Sequence, residues 1–350
     1  MNELDLRIEP ADSSAAQRAK DKWNDVAKPI GSLGLLEDAV VKIAALVGSE
    51  NVDISKRCVA VLCADNGVVA QGVTQSDPEI TTVVASCVAQ GISSVCRMSA
   101  PAHMDCIAYD LGMLTPSNEP NVRTRRISAS TSDITQGPAM TREQALQAVR
   151  TGIDIVADLK EEGYRVIATG EMGIGNTTTS TAMACVFTGM TPEQLTGRGA
   201  GLSDAGLERK IWAVKKALTV NAPDANDPLD VLSKVGGYDI AGLCGMFLGG
   251  ALHRVPIVVD GVISTIAAYC ATQLYPECSI ALLASHVSSE PAAPILLERM
   301  GLSPVIHAEM RLGEGTGAAC LIPILDMALS LYNGSTFDDY GMDAYEVNLR

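Results

Sequence analysis

One short stretch of the chain combines a carboxylate with three glycines. Residues 311–318 read Arg-Leu-Gly-Glu-Gly-Thr-Gly-Ala, so Glu314 stands just before an apolar run that predicts a helix. Glycine permits close backbone approach and positive φ, so these flanks predict a turn that admits a ligand. A carboxylate beside the free N–H groups of a helix start is a candidate general base. The alternative is a turn in which Glu314 only caps the helix.

A second glycine-rich stretch, residues 170–178, follows the apolar run 165–169 and precedes a predicted helix over 179–187. A strand, a glycine loop and a helix in this order are typical of phosphate binding, because free N–H groups and the helix dipole face the anion. This stretch therefore predicts an anion site.

Two familiar nucleotide motifs almost fit this loop. Gly170 and Gly175 have the spacing of a Walker A loop, but Asn176 replaces the lysine that would hold a triphosphate. A dinucleotide fingerprint that begins at Gly173 reaches Thr178 where its third glycine belongs. The loop therefore predicts a site for one phosphate, not for a triphosphate or a pyrophosphate.

A third glycine loop covers residues 197–204 and precedes a helical segment. Asp204 is a candidate cap for this helix. Lys210, further along it, could reach a phosphate as a point charge, and the alternative is an ordinary surface lysine.

The composition excludes several classes of protein. The 350 residues are 47% hydrophobic and 19% charged, which is enough for a sizeable core in one or two domains. A formal charge of −15 argues against nucleic acid or an anionic membrane as the main partner. No apolar stretch reaches a clean membrane-spanning length, and the acidic N-terminus does not resemble a signal peptide. We expect a cytoplasmic protein.

The ten cysteines occur singly, and the four histidines are far apart in the sequence. There is no Cys-x-x-Cys pair. This spacing predicts reduced thiols in the core rather than zinc or iron–sulfur ligation.

The elements that must position these residues alternate along the chain. Apolar runs predict strands that are buried on both faces of a parallel sheet, and helical segments lie between most of them. This alternation predicts an α/β fold with helices on both faces of the sheet. The predicted strands cover residues 58–64, 106–112, 165–169, 255–261 and 279–286.

Polar residues follow several of these predicted strands, at the edge where open parallel sheets bind ligands. This edge predicts an enzyme without saying which one. The residues concerned are Asp65, Asp110, Glu171, Asp260, Ser285 and His286.

Two further segments carry local predictions. Residues 28–34 break the helical region 11–50, with Ser32 available to cap the second helix and Lys28 as a possible solvated charge. Residues 113–138 are polar and rich in turn formers, so we expect a surface excursion there.

Together these stretches resemble the nicotinate-nucleotide:dimethylbenzimidazole phosphoribosyltransferase family, which makes the lower-ligand nucleotide of cobamides. The matching motifs occur in the family's order over nearly the whole chain, and the glycine-loop and Leu-Gly-Glu-Gly motifs are specific. They are residues 28–34 (KPIGSLG), 64–68 (ADNGV), 170–178 (GEMGIGNTT), 231–239 (VLSKVGGYD), 260–261 (DG), 285–286 (SH) and 312–318 (LGEGTGA).

The resemblance implies a three-layer, Rossmann-like parallel sheet with helices on both faces over residues 50–315. It implies a smaller helical lobe built from residues 1–49 together with 316–350, and a homodimer without metal or cofactor. The reaction would move phosphoribose from nicotinate mononucleotide to a lower-ligand base such as 5,6-dimethylbenzimidazole, giving α-ribazole 5'-phosphate and nicotinate in the cobalamin nucleotide-loop pathway.

The resemblance also assigns residues to roles. Glu314 corresponds to the catalytic base and Glu171 to a supporting carboxylate. The apolar neighbours Met310 and Leu312 could dry the environment of Glu314 and raise its basicity. The expected substrate-binding residues are Gly173, Gly175, Asn176, Thr177, Thr178, Lys210, Gly313, Gly315, Leu312 and Ser76.

Two departures from the family pattern fall where we expect the acceptor-base pocket. Asn66 stands where the family usually has histidine, and Ala85 stands where some members have glutamine. The loop 73–82 also carries one residue more than usual. These changes leave the reaction class intact and leave the acceptor open between a benzimidazole, a purine and a phenol.

Two rival functions follow from the same sequence. A nucleotide-binding oxidoreductase is disfavoured by the missing third glycine and by the absence of a ribose-binding acid at the usual spacing. A catalytically silent binding subunit would keep the phosphate loop and lose the base, and the presence of Glu314 argues against it.

Overall fold

Six parallel strands form one sheet in the computed structural model, which describes residues 3–199 and 201–345. The strand order is β3-β2-β1-β4-β5-β6, and every neighbouring pair is parallel. The strands are β1 (Arg57–Ala64), β2 (Asp105–Gly112), β3 (Arg123–Thr124), β4 (Val166–Met172), β5 (Ile257–Val259) and β6 (Leu282–Ala284).

The central strand β1 is buried along its whole length. Its even-numbered apolar residues belong to the core on one face of the sheet, and the odd-numbered residues Val59, Val61 and Cys63 belong to the core on the other face. Side chains alternate across a strand, so a continuous apolar run is what two covered faces require.

Helices cover both faces of the sheet. The long helix α5 starts at a capping box, in which Thr141 and Gln144 exchange hydrogen bonds with each other's backbone. The helices in the described residues are α1 (Ser13–Asp25), α2 (Leu35–Val47), α3 (Glu79–Ala89), α4 (Ser94–Ser99), α5 (Arg142–Glu161), α6 (Asn176–Thr188), α7 (Pro192–Leu195), α8 (Asp204–Asn221), α9 (Pro228–Val235), α10 (Tyr238–His253), α11 (Val262–Leu274), α12 (Ala292–Arg299) and α13 (Thr316–Tyr332).

The two chain ends meet on one face of the sheet. The rings of Trp23 in α1 and Tyr332 in α13 lie 4.8 Å apart, and Val26 forms a bridge with Thr336. Helices α1, α2 and α13 share a core with Val59 of the sheet. The division into 50–315 and a lobe of 1–49 with 316–350 stays a prediction, and residues 1–2 and 346–350 of it lie outside the described residues.

The predicted α/β fold with helices on both faces is confirmed. The sequence missed the two-residue strand β3. The expectation of a surface excursion over 113–138 is wrong in part, because Ile134 is fully buried in the core and the N–H of Thr131 donates to Asp65 O.

Three local expectations are also wrong. Helix α2 is entered through Gly34, with no side-chain cap from Ser32. Helix α8 is capped by Ser203, whose hydroxyl accepts from Gly206 N, so Asp204 lies inside the first turn. Lys28 is buried in an ion pair, with Nζ 2.7 Å from Glu37 Oε1.

One stretch of the described residues, Glu79–Ala102, has the length and apolar composition of a membrane span. It comprises α3, α4 and a 3₁₀ turn, and α3 ends at Ala89 while α4 begins at Ser94. Because these are separate short helices, the stretch is weak support for a membrane protein.

Candidate active site

A cavity of about 440 Å³ opens at the carboxyl edge of the sheet, beside the strand pair β1 and β4 where the chain order reverses. Open α/β sheets bind their ligands at this kind of switch point. The loops after several strands line it, with residues 73–76, 171–177, 260–264 and 311–314.

The glycine loop after β4 delivers helix α6 to this cavity. Gly175, the N-cap residue of α6, has φ 94°, and no side chain of the described residues caps the helix there. A Cβ at this position would lie 2.8 Å from the Val69 side chain, so both the backbone conformation and the packing require glycine. The positive end of α6 is therefore available to an anion.

Lys210 of α8 supplies a cation beside this helix start. Its side chain is fully buried, and Nζ donates to Thr177 Oγ1 at 2.8 Å and to Gly197 O at 3.2 Å. Burial lowers the pKa of Lys210 to about 8, with Glu290 opposing the shift. The surface-lysine alternative is wrong, and the position supports phosphate binding.

The loop that carries Glu314 holds three consecutive residues in the left-handed region, with φ of 84° at Gly313, 60° at Glu314 and 93° at Gly315. The left-handed conformation costs a non-glycine residue such as Glu314 conformational free energy, and backbone strain of this kind clusters at functional sites. Glu314 does not cap α13. The cap comes from Asp260 at the end of β5, which accepts from Gly315 N at 3.2 Å and from Ala318 N at 2.8 Å.

The Glu314 carboxylate lines the cavity, and its buried Oε2 has no hydrogen-bond partner among the described residues. Burial raises the pKa of Glu314 and the charge of Asp260 adds to the rise, while the Val95 backbone opposes it. The expectation that Leu312 dries this environment is wrong, because Leu312 is 53% exposed. The loop instead lies directly on β4, where a Cβ on Gly170 would stand 2.5 Å from Glu314 O.

Glu171 lines the cavity and belongs to a buried polar cluster with Asn176 and Asp239. The side-chain amide of Asn176 donates to Glu171 Oε2 and, at 2.9 Å, to Asp239 Oδ2 in the first turn of α10. Burial raises the pKa of Asp239 to about 6, and burial together with the charge of Asp239 raises the pKa of Glu171 well above its usual range. Glu171 Oε1 faces Gly313 and therefore the Glu314 loop.

His286 lines the opposite wall. The Ser285 hydroxyl donates its proton to Val259 O at 2.6 Å. In the 3.0 Å contact between Ser285 Oγ and His286 Nδ1, the donor is therefore Nδ1–H. Burial lowers the pKa of His286, and Asp260 opposes this. A neutral ring with Nδ1 protonated presents Nε2 as a hydrogen-bond acceptor.

The structure brings most of the predicted site residues to one cavity. Thr178 and Gly315 do not line it, since Thr178 is fully buried in α6 and Gly315 starts α13 against the sheet. The predicted lining residues that do are Glu314, Glu171, Gly173, Gly175, Asn176, Thr177, Lys210, Gly313, Leu312 and Ser76.

The loop with the extra residue lies where we expected it, since residues 73–76 line the cavity, whereas Asn66 and Ala85 do not. Asn66 is buried behind the glycine loop, where its Nδ2 lies 3.4 Å from Ile174 O, and Ala85 is a fully buried residue of α3. Neither residue lines the cavity.

The sequence placed Asp260 and His286 at the ligand-binding edge of the sheet, where they do line the cavity, but it missed the placement of Asp239 and Glu290. The first three stand in motifs described above, but nothing local indicates that Asp239 reaches Asn176. Glu290 accepts from Gly199 N at 3.2 Å and closes the third glycine loop over the cavity. Ala200 in that loop lies outside the described residues.

Among residues 3–199 and 201–345, no group of three or more His, Cys, Asp or Glu side chains is arranged to hold a metal ion. The expectation of a reaction without metal or cofactor stays a prediction.

The fold and the cavity together define a doubly wound α/β protein in which one cavity joins a free helix start, a buried lysine and two carboxyl groups. A phosphoribosyltransferase family matches residues 8–342, and the chain therefore belongs to that family.

Named relatives match the chain almost from end to end. The nicotinate-nucleotide–dimethylbenzimidazole phosphoribosyltransferase of Acetivibrio thermocellus is 43% identical over 343 residues, covering 98% of this chain and 96% of the relative. The enzyme of the same name from Ruminiclostridium cellulolyticum is 42% identical over 331 residues, covering 94% of each. The crystal structure of CobT from Thermus thermophilus superimposes with a TM-score of 0.89 at 32% identity, covering 95% of this chain and 100% of that chain.

Proposed function

We propose that this protein transfers phosphoribose from nicotinate mononucleotide to a lower-ligand base such as 5,6-dimethylbenzimidazole. The products are α-ribazole 5'-phosphate and nicotinate, in the cobalamin nucleotide-loop pathway. One observation carries the proposal: Glu314, whose carboxylate Oε2 has no hydrogen-bond partner among the described residues, lines the same cavity as the anion site formed by the α6 start and Lys210. Relatives that share this family act on the nucleotide and base that their names state.

The nucleotide phosphate binds at the start of α6. There it gains the free end of the helix dipole and the Lys210 ammonium, which is held by Thr177. Glu314 and Glu171 line the same cavity, so a nucleotide bound at this point has its ribose beside these carboxyl groups. Most of the acceleration then comes from holding the base and the ribose carbon in contact.

Glu314 acts as the general base. A ring nitrogen of the acceptor forms a bond to the anomeric carbon, and the acceptor's N–H proton passes to the Glu314 carboxylate. The bond from ribose to nicotinate breaks, and its electron pair neutralises the positive ring nitrogen of the leaving group. The raised pKa of Glu314 makes it a stronger base than a carboxylate in water, and turnover falls as the pH drops through this raised pKa.

The test is product formation by the purified protein. With nicotinate mononucleotide and dimethylbenzimidazole we expect α-ribazole 5'-phosphate and free nicotinate, measured by chromatography and mass spectrometry. The change Glu314→Gln should lower kcat by about 10²–10⁴-fold with nucleotide binding kept, whereas Glu309→Gln, at an exposed position near the loop, should leave kcat unchanged. Unchanged turnover in Glu314→Gln would exclude Glu314 as the base.

The acceptor is tested by direct competition. We offer dimethylbenzimidazole, an unsubstituted benzimidazole, a purine and a phenol together and quantify each product. A lack of product with all of them would exclude the proposed activity. A phenol product would mean attack through oxygen rather than nitrogen.

We also infer a cytoplasmic homodimer that binds neither nucleic acid nor membrane. The dimer is inferred from the family resemblance. The net charge of −15 supports the absence of a nucleic-acid partner. Light scattering coupled to size exclusion measures the mass of the particle, and a monomer at micromolar concentration would contradict the inference.

A further inference from the structure

The buried cluster beside the cavity contains two carboxyl groups that share one amide. Asn176 Nδ2 donates to both Glu171 Oε2 and Asp239 Oδ2, and all three side chains are buried. Two carboxylates this close cannot both be ionised without a large electrostatic cost, because little water screens them. The pair is therefore expected to hold one proton and one negative charge at neutral pH.

The surroundings decide which carboxyl keeps the charge. Asp239 lies in the first turn of α10, whose N-cap Gly237 offers no side chain, and the N–H groups of this turn stabilise an ionised Asp239. Glu171 lies near the end of β4 and has no helix start of its own; only the backbone N–H of Glu314 and the shared Asn176 amide favour its charged form. The helix dipole therefore favours the charge on Asp239 and leaves the proton on Glu171.

The glycines around Asp239 show that the protein makes room for this carboxylate. A Cβ on Gly173 would lie 2.6 Å from Asp239 Oδ2, and a Cβ on Gly237 would lie 2.5 Å from Asp239 Oδ1. The same Cβ position on Gly237 would be 2.7 Å from Asn66 Oδ1. Asp239 Oδ1 and Asn66 Oδ1 are therefore close to each other, and neither has a hydrogen-bond partner among the described residues. A half-turn of the Asn66 amide, whose two ends are nearly equal in size, turns its N–H toward the Asp239 carboxylate.

We propose that Asp239 is a positioning residue that holds the single negative charge of this pair and thereby keeps Glu171 as a neutral carboxylic acid facing the cavity. Because Glu171 Oε2 accepts from Asn176, the proton sits on Oε1. That oxygen is 2.8 Å from the point where a Cβ on Gly313 would stand, so the acid faces the loop of the base.

The catalytic consequence rests on the proposed function. A neutral Glu171 offers a hydrogen-bond donor to a substrate oxygen or nitrogen. It also avoids a second negative charge beside Glu314 and the anionic nucleotide. If Glu171 ionised, repulsion would weaken nucleotide binding.

The other charged groups around the pair favour the same single charge. Asp65 and Asp260 raise the cost of ionising it, and each is already held by backbone N–H groups, from Leu114 and from α13 respectively. The titratable and charged groups that face the pair or line the cavity are Cys63, Asp65, Arg198, Lys210, Asp260, His286, Glu290, Arg311 and Glu314.

Infrared spectroscopy of the full chain tests the protonation directly. At pH 7 we expect a carbonyl band of a protonated carboxylic acid that is lost in Glu171→Gln and kept in Asp38→Asn, an exposed first-turn aspartate of α2. A band that persists in Glu171→Gln and vanishes in Asp239→Asn would place the proton on Asp239 and overturn the proposal. So would a wild-type protein whose spectrum does not change in either variant.

The pH profile of kcat/KM for the nucleotide tests the coupling. In Asp239→Asn, Glu171 loses its charged neighbour and ionises at lower pH, so kcat/KM should fall several-fold between pH 6 and 8 relative to the wild-type profile. The double variant Asp239→Asn/Glu171→Gln should lose this extra pH dependence. A purely structural role of Asp239 would instead lower kcat/KM equally at every pH.

Thermal unfolding gives a readout that needs no turnover. A carboxyl group whose folded pKa is raised contributes stability at low pH that is lost as pH rises. Glu171→Gln should therefore raise Tm relative to wild type more at pH 8 than at pH 5, and an equal shift at both would overturn the proposal. Because this readout and the infrared band are independent of catalysis, they hold even if the proposed reaction fails.

Discussion

Replacing Lys210 with methionine removes the buried cation beside the anion site with little change in side-chain volume. The ammonium is fully buried and is fixed by Thr177 Oγ1 at 2.8 Å and Gly197 O at 3.2 Å, so it is oriented before the ligand arrives. A hydrogen bond to a charged group contributes about 1.5–3 kcal/mol, which corresponds to about 10–150-fold in affinity. We expect the nucleotide KM of Lys210→Met to rise by this factor, with kcat much less affected.

The lowered pKa gives this prediction a second, sharper test. Lys210 has a pKa of about 8 in the free protein, so the cation that binds phosphate is lost progressively above that pH. The wild-type KM for the nucleotide should be level below pH 8 and rise about tenfold per pH unit well above it. Lys210→Met should lack this rise, because it has no proton to lose.

Steady-state kinetics with varied nucleotide from pH 6.5 to 9.5 measure both effects. Lys216→Met, at an exposed position of the same helix, is the matched control and should keep the wild-type profile. An unchanged KM in Lys210→Met, or a loss confined to kcat, would refute the assignment of Lys210 to the phosphate. A wild-type KM that stays level to pH 9.5 would refute the lowered pKa.

Two further substitutions test the loop that carries Glu314 and the ion pair between Lys28 and Glu37. Gly313→Ala should abolish most turnover, because its φ is 84° and the new Cβ would lie 2.8 Å from Glu171 Oε1. Gly91→Ala has a similar φ of 73° with nothing within 4 Å, so it should lose stability without losing turnover, and equal turnover in the two variants would contradict the contact argument. Lys28→Met should lower the free energy of unfolding by about 3–5 kcal/mol, since it leaves the buried Glu37 carboxylate without its cationic partner. Adding Glu37→Gln should recover most of that loss in urea titrations, and a single variant as stable as wild type would show that the pair contributes nothing.

The sheet was predictable because a strand that is buried on both faces needs apolar residues at consecutive positions. Strand β1 was placed to within one residue, whereas β4 begins one residue later than predicted and ends three residues later, at Met172. The short strands β5 and β6 were overextended, because their apolar neighbours are buried outside the sheet as well. Strand β3 has only two residues and leaves no pattern to read.

Helix starts were less predictable. Glu314 and Asp204 were each candidate caps by type and spacing, yet Asp260 and Ser203 perform the capping. The residue that caps a helix depends on the backbone geometry at the helix start and on which hydrogen-bond acceptor the tertiary structure brings near its free N–H groups. Asp260 arrives at α13 from a strand more than fifty residues earlier in the chain, and local spacing cannot reveal it.

The sequence by itself determined the class of fold, the glycine loop suited to one phosphate and the carboxylate among glycines, since these depend on local periodicity and residue type. Only the tertiary structure decided that Lys210 is buried rather than exposed and that Asp239 reaches Asn176. It also showed that Asn66 and Ala85 stand behind the cavity wall rather than in it. Burial and long-range contacts depend on how distant segments pack, and the charge states of the buried carboxyl groups follow from that packing.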